Sequence, residues 1–296
     1  MELVVQDIYK SFEQKQVLKG ISFKANSGKA LGILGRNGAG KTTTIRIIMD
    51  VFRGDEGKVL FDGQEFGSKK VCIGYLPEER GLYPKKKIID QIVFLAQLKG
   101  MNKKEAIKSA DYWLERLEMM EYRNKLLETL SKGNQQKIQL IATIVPNPDV
   151  VILDEPFSGL DPVNAILLKE VVRELIEKGK IVLFSSHQMN YIEEFCDDIV
   201  ILQDGHIVLA GSINEIVKSY PRNRLKVISK EEETILRQET YDMETEKEAI
   251  IIKLIDEKDR SSVMKNLCDK YDVEAIHVVE PTLNDIFVEY TTKGVE

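Results

Sequence analysis

Residues 35–43 carry the residue types that bind a polyphosphate. They follow an apolar run at 30–34 and precede an apolar helical pattern that includes Ile45 and Ile48. Glycines here allow backbone turns that a Cβ would forbid, so that successive amides point at an anion. A helix that begins there offers its positive end to the same anion. The stretch predicts a phosphate-binding loop between a strand and a helix, made of Gly35, Arg36, Asn37, Gly38, Ala39, Gly40, Lys41, Thr42 and Thr43.

Two side chains of this loop have expected roles. Lys41 would place its ammonium between the β- and γ-phosphates of a nucleotide, and Thr42 would offer its hydroxyl to Mg²⁺. The alternative is a glycine-rich turn without function. The strand before the loop and the helix after it favour nucleotide binding.

Two acids and a histidine follow other predicted strands. Residues 150–153 form an unbroken apolar run, which is typical of a strand buried on both faces of a parallel sheet. Asp154 and Glu155 come at its carboxyl end, where α/β sheets bind ligands, although most Asp residues there are caps or turns. His187 follows the apolar run 181–184. A lone histidine is often structural, but its position at a further strand end favours function.

The remaining elements position these residues. Two strands are expected within 3–25, a helical insertion within 88–128, and a helix capped by Ser131 that runs to about Val145. Composition changes near Tyr220. We therefore expect an α/β domain over 1–220, with a helical subdomain at about 86–146, and a small C-terminal α+β domain over 221–296.

Composition excludes some functions. The chain has 296 residues, 43% of them hydrophobic, and a net charge of −6. This balance opposes binding of nucleic acid or an anionic membrane by bulk charge. Three widely spaced cysteines suit a reducing compartment, and no signal peptide or membrane-spanning run is seen. We expect an intracellular protein whose membrane role, if any, passes through a partner.

The ordered motifs resemble the nucleotide-binding subunits of ABC transporters across roughly residues 1–220. The resemblance implies a P-loop NTPase core with an antiparallel β subdomain and a helical subdomain. It identifies 35–43 as the Walker A loop and 150–154 as Walker B, and implies ATP and Mg²⁺ as cofactors and ATP hydrolysis as the reaction. It implies that Asp154 holds Mg²⁺ through its coordination shell, that Glu155 polarises the attacking water and that His187 senses the γ-phosphate. It also implies that Phe12 stacks on the adenine ring and that Asp161 lies at the dimer interface.

Residues 130–136 resemble the family signature, which caps the ATP bound by the opposite subunit. The resemblance implies that Ser131, Gly133 and Asn134 contact that nucleotide, so a second ATPase subunit is needed, and we expect a homodimer rather than a heterodimer. Lys132 replaces the first signature glycine, which is acceptable only where the backbone is not left-handed. Asn134 replaces the usual glutamine. Glu78 stands where a glutamine usually couples the metal site to the membrane partner, and it can still accept Mg²⁺.

The signature variant, together with residues 281–287, resembles the subgroup that serves separate exporter permeases, including sodium-extrusion and antibiotic- or peptide-export systems. This implies an integral membrane permease as partner, a cytoplasmic location at the inner face of the cell membrane, and no nucleic acid. One alternative is a soluble ABC ATPase acting on ribosomes or DNA, against which the absence of an internal repeat counts. Another is a regulatory subunit that binds nucleotide without hydrolysis. The C-terminal domain could be a sensor or a dimer stabiliser.

Overall fold

The structure is a computed structural model that describes residues 1–65, 71–79, 81–231, 234–235, 239–246 and 249–292. It contains two compact units. The first comprises Met1–Ser212 and the last described residues from Tyr290 onward, and the second is Ile213–Glu289. Residues 232–233, 236–238, 247–248 and 293–296 of the expected C-terminal domain lie outside the described residues.

A six-stranded sheet forms the centre of the first unit, in the order β10-β9-β3-β8-β7-β6. All neighbours are parallel except the β9–β10 pair. Every residue of β7 and β8 is buried, which confirms the prediction from their unbroken apolar runs. The carboxyl ends of the parallel strands therefore meet at one edge. The strands are β3 (Lys29–Gly35), β6 (Ile73–Leu76), β7 (Val150–Asp154), β8 (Ile181–Ser185), β9 (Asp198–Gln203) and β10 (His206–Ser212).

An antiparallel sheet in the order β2-β1-β4-β5 packs against the central one. Leu3, Ile21 and Phe61 from this sheet share one buried core with Ile33 and Ile152 of the central sheet. Burial of such side chains, at roughly 1.5–3 kcal/mol each, holds the two layers together. The strands are β1 (Glu2–Phe12), β2 (Lys15–Asn26), β4 (Glu56–Phe61) and β5 (Gln64–Glu65).

Helices α1 to α6 belong to the first unit, and α2, α3 and α4 pack on one another as the expected helical region. Ser131 caps α4 as predicted. Helix α5 begins at Pro162, because Asp161 caps it and proline is well suited to the first helical position. The helices are α1 (Lys41–Ile48), α2 (Ile88–Leu98), α3 (Lys103–Arg116), α4 (Lys132–Ile144), α5 (Pro162–Glu177) and α6 (Met189–Phe195).

The second unit is built on an antiparallel sheet in the order β12-β13-β11-β14. Leu225, Ile250 and Leu267 lie in its buried core. The sequence reasoning did not identify β11 or β12, since both lie in charged stretches and β12 is largely exposed. The elements are α7 (Ile213–Ser219), β11 (Arg224–Ser229), β12 (Asp242–Glu246), β13 (Ala249–Lys253), α8 (Arg260–Lys270), β14 (Val273–Val279) and α9 (Leu283–Thr292).

Short 3₁₀ helices occur at Met120–Tyr122, Leu127–Thr129 and Glu257–Asp259. None of the helices in the described part of the chain combines the length and the apolar character needed to cross a bilayer.

Candidate functional site

The phosphate loop connects β3 to α1, as predicted. Gly38 and Gly40 have φ angles of 86° and 110°, a region that residues with a Cβ rarely adopt. A Cβ on Gly40 would also lie 2.6 Å from the side chain of Leu18. Glycine is therefore required here both by the backbone angle and by packing. Arg36 and Asn37 at the tip of the loop are exposed.

The first turn of α1 is open to an anion. Gly40 is its N-cap, and among the described residues no side chain caps the helix and no acidic residue lies in its first turn. Thr42 and Thr43 occupy that turn, and Thr42 is exposed. The uncapped amides and positive helix end suit a phosphate group.

Lys41 is hydrogen-bonded to the phosphate loop, and the charges of three carboxylates act on it. Its Nζ donates to Gly35 O at 2.6 Å and to Arg36 O at 3.3 Å. Burial lowers the pKa of the Lys41 ammonium, and the negative charges of Asp154, Glu155 and Glu78 oppose this shift. The structure thus brings together the lysine and all three acids predicted for the site.

Asp154 is the last residue of β7 and is buried. Tyr75, on the neighbouring strand β6, donates its hydroxyl to Asp154 Oδ2 at 3.3 Å. Burial raises the pKa of Asp154, and the bond from Tyr75 opposes the rise. Burial and then the charge of Asp154 raise the pKa of Tyr75 to about 12. Tyr75 was not identified from the sequence, because it lies within an apolar strand and nothing in that strand indicates a contact with Asp154.

Glu155 has a φ of 47°, an uncommon angle for a residue other than glycine. Its Oε1 accepts the His187 backbone amide at 2.6 Å and lies 2.6 Å from His187 Nδ1. Its Oε2 accepts the Ser186 hydroxyl at 2.9 Å. The loop after β8 therefore holds a buried carboxylate at three points, and the Nδ1 contact requires a proton on Nδ1. Ser186 was missed because only tertiary structure places it there.

Glu78 follows β6 and is exposed. Its charge acts on both Lys41 and Tyr75. Among the described residues, no group of three or more His, Cys, Asp or Glu side chains is arranged to hold a metal ion. A cation here would need other ligands as well, such as a hydroxyl and phosphate oxygens, which is how proteins commonly hold Mg²⁺.

The signature residues lie at the start of α4. Ser131 is exposed, and its Oγ accepts the Asn134 amide at 3.3 Å as the helix cap. Lys132 is the first residue of the helix and has no positive φ. Its backbone is therefore not left-handed, so lysine can replace the signature glycine here. Gly133 is buried. In the described part of the chain, none of residues 131–134 is hydrogen-bonded to the phosphate loop.

Asp161 caps α5. Its Oδ1 accepts the Asn164 amide at 3.0 Å, and its Oδ2 accepts the Asn164 side chain at 2.6 Å. The bond from the Asn164 backbone, followed by that from its side chain, lowers the pKa of Asp161. An added Cβ on Gly133 would be 3.5 Å from Leu160, so the signature helix lies beside this turn.

Phe12 ends β1 with 44% of its surface exposed. Its ring meets Phe52 edge to face, with centroids 5.5 Å apart. Lys10 Nζ lies 5.5 Å from the Phe12 centroid and pairs with Asp55 at 2.6 Å. The exposed ring is thus held in place by an aromatic neighbour and a cation, in an arrangement that can receive a flat ligand. Phe52 and Lys10 were not identified from sequence.

Comparison with protein families gives two matches. Residues 18–158 match the ABC transporter family, and residues 211–291 match the C-terminal domain of ATP-binding proteins like DrrA1-3. The first match includes the phosphate loop, Asp154 and Glu155.

Two relatives from Bacillus subtilis (strain 168) are informative. The uncharacterized ABC transporter ATP-binding protein YhaQ is 42% identical over 292 residues, covering 97% of this chain and 97% of the relative. The linearmycin resistance ATP-binding protein LnrL is 34% identical over 218 residues, covering 72% and 70%.

A solved ATP-binding subunit of an ABC transporter has a similar fold. It shares 27% sequence identity with a TM-score of 0.68, covering 74% of this chain and 92% of that one. This likeness confirms the P-loop NTPase fold expected from the motifs. The phosphate loop, the acids at the strand ends and the near full-length match to a relative establish that the chain belongs to the ATP-binding subunits of ABC transporters, which are ATPases.

Proposed function

We propose that this chain hydrolyses ATP as one of two subunits that close around two nucleotides and drive export through a separate membrane permease. This proposal rests on the position of Lys41 after β3 and of Asp154 and Glu155 at the end of β7, at the same edge of the parallel sheet. Lys41 binds phosphate, Asp154 binds the metal ion and Glu155 acts on the attacking water.

Nucleotide binding is assigned to the phosphate loop. Its positive-φ glycines and the open end of α1 cradle the phosphates, and Lys41 exchanges its loop carbonyls for phosphate oxygens. The donor set fits Mg²⁺, since Thr42 and Asp154 offer hydroxyl and carboxylate oxygens and Glu78 can add another. Bound Mg²⁺ would neutralise charge on the phosphates. Phe12 stacks on adenine.

Hydrolysis is assigned to Glu155 and His187. The buried carboxylate accepts a proton from, and orients, the attacking water, while His187 contacts the γ-phosphate. To bind this water, Glu155 must break one or more of its hydrogen bonds to the loop after β8. The three donors on its carboxylate support a positioned base.

The second subunit is proposed to be another copy of this chain. Ser131, Gly133 and Asn134 are at the start of α4 and, among the described residues, make no hydrogen bond to the phosphate loop of their own subunit. Supplied by a second copy, the same helix end would close over the nucleotide, with Asp161 near the contact.

A surface suited to the permease lies beside the Glu78 loop. A cavity of about 430 Å³ is lined by residues that include Pro77, Leu95 and Leu98. Leu98 and Phe94 are 67% and 54% exposed. Such a contiguous apolar surface is typical of a protein contact, and we assign it to a cytoplasmic segment of the permease at the inner face of the membrane.

Export as the direction rests on similarity. The name of LnrL concerns antibiotic resistance, and the C-terminal match is to DrrA1-3-like proteins. The cargo class remains that of small exported compounds, including antibiotics, peptides or sodium ions.

The proposal is tested by co-purification from detergent-solubilised membranes. The chain should elute with an integral membrane protein, and Leu98→Glu should abolish this while Ile255→Glu, an exposed residue of the second unit, should not. Recovery of the native protein on ribosomes or DNA alone would overturn the proposal in favour of a soluble ABC ATPase.

A further inference from the structure

Side chains of α4 are hydrogen-bonded to the backbone of the segment that carries Glu78. Gln139 Nε2 donates to Pro77 O at 3.1 Å and to Glu79 O at 3.3 Å. One turn further on, Thr143 Oγ1 lies 3.2 Å from Tyr75 O. The carbonyls of Tyr75, Pro77 and Glu79 thus face a single helix, and both amide protons of Gln139 are used.

The segment bonded to α4, residues 75–79, contains two residues of the site. Tyr75 bonds to Asp154, and Glu78 lies between the two carbonyls that Gln139 holds. Gln139 is only 4% exposed, so water does not readily replace these bonds. The position of α4 therefore fixes the position of the Glu78 loop.

Helix α4 also contacts the loop that follows Glu155. Gln136 Nε2 donates to Pro156 O at 3.1 Å, directly after Glu155. Ser131 caps the opposite end of this helix, about 12 Å from Gln139 at 1.5 Å per residue. One rigid element thus touches the backbone beside Glu78, the backbone beside Glu155 and the outer surface at Ser131.

We propose that Gln139 is a positioning residue that couples Ser131 to the Glu78 loop of its own subunit. Engagement of Ser131 with the nucleotide on a second copy shifts α4, and Gln139 carries that shift to the metal side of this subunit's site. The two sites then respond to each other. This inference rests on the proposed function, because it requires a second copy that binds ATP.

The chain offers a matched control. Gln91 is 5% exposed, and its Nε2 donates to Tyr83 O and Lys86 O, each at 3.3 Å. Its Oε1 also accepts the Tyr83 amide at 3.0 Å, so Gln91→Leu removes three side-chain hydrogen bonds, all to Tyr83 and Lys86. Gln139→Leu removes two, both to the Glu78 loop, so the control is the larger change by number of bonds. A purely structural role predicts the same behaviour for both variants.

The first measurement is hydrogen exchange of residues 75–79 in the full chain carrying Glu155→Gln, with and without ATP. Addition of ATP should slow exchange of this segment in the parent and in Gln91→Leu. In Gln139→Leu the ATP-induced slowing should fall by half or more. The affinity of the monomer for a fluorescent ATP analogue should stay within about twofold, because the phosphate loop is unchanged.

The second measurement is ATP hydrolysis by the chain with Glu155 intact. Gln139→Leu should lower kcat about tenfold and bring the Hill coefficient for ATP towards one, while Gln91→Leu keeps both. Equal behaviour of the two variants in both measurements would overturn the inference alone. A parent that neither binds nor hydrolyses ATP would instead overturn the proposed function.

Discussion

His187 is joined twice to one oxygen of Glu155, through its backbone amide and through Nδ1, each at 2.6 Å. The carboxylate is 9% exposed and the imidazole 75% exposed. A buried acid is thus connected by a short path to an exposed ring that a ligand can reach. The state of the ring can therefore set the position of the acid.

This relationship predicts a graded series of variants. Glu155→Gln should lower kcat by about 10²–10³ because the amide cannot take a proton from water. Ser186→Ala and His187→Ala each remove one of the three donors to Glu155. Ser186→Ala should cost less than tenfold, and His187→Ala about 10–100-fold because it also removes the proposed contact with the γ-phosphate. Steady-state phosphate release measures all three.

Nucleotide affinity is the control for this series. Each variant should bind ATP within about threefold of the parent, because none alters the phosphate loop. Unchanged phosphate release by Glu155→Gln would contradict the assignment of the catalytic acid.

Tyr75 predicts a pH dependence of stability. The pKa of its phenol is raised by burial from 10.0 to about 12 in the folded chain. A group with a raised folded pKa contributes stability that is complete below pH 10 and is lost as pH rises to about 12. The free energy of unfolding should therefore fall more steeply over this interval in the parent than in Tyr75→Phe, by about 1–2 kcal/mol after allowance for partial exposure.

Urea unfolding between pH 9 and pH 12 measures this difference. The nine remaining tyrosines of the ten titrate in both proteins and cancel in the comparison. Parallel curves for the two proteins would show that Tyr75 ionises as freely as in the unfolded chain.

The Phe12 ring predicts a change in KM without a matching change in kcat. Phe12→Ala should raise KM for ATP about tenfold, because stacking of a base is worth about 1–3 kcal/mol. Phe52→Leu should raise KM two- to fivefold, since it removes only the edge contact that supports Phe12. Phe94→Ala, at an exposed aromatic residue of α2, is the control and should change neither constant.

Local signals predicted much of the fold. Asp204 and Gly205, an Asp-Gly pair typical of a primed turn, join β9 to β10 with φ values of 48° and 83°. Ser131 was correctly placed as a helix cap. Both follow from rules that act over two to four residues.

What the sequence did not reveal depends on contacts between distant segments. Gln139 meets residues about 60 positions away, and Tyr75 meets Asp154 across two strands. No spacing rule connects such pairs. The charged strand β12 was missed because an exposed edge strand has no apolar alternation to identify it.

The composite site is tested most directly by mixing two inactive variants. Lys41→Ala disables the phosphate loop but keeps Ser131, and Ser131→Arg disables the signature but keeps the loop. Each alone should be nearly inactive. A mixed dimer holds one complete site, and random mixing makes half of the dimers mixed, so the mixture should regain ATP hydrolysis well above either variant alone, with about a quarter of the parental activity as the upper limit. Coupling between the two sites lowers the value below that limit, because the complete site belongs to the subunit that carries Ser131→Arg. Activity of the mixture no greater than the mean of the separate variants, or full activity of Ser131→Arg alone, would contradict the account.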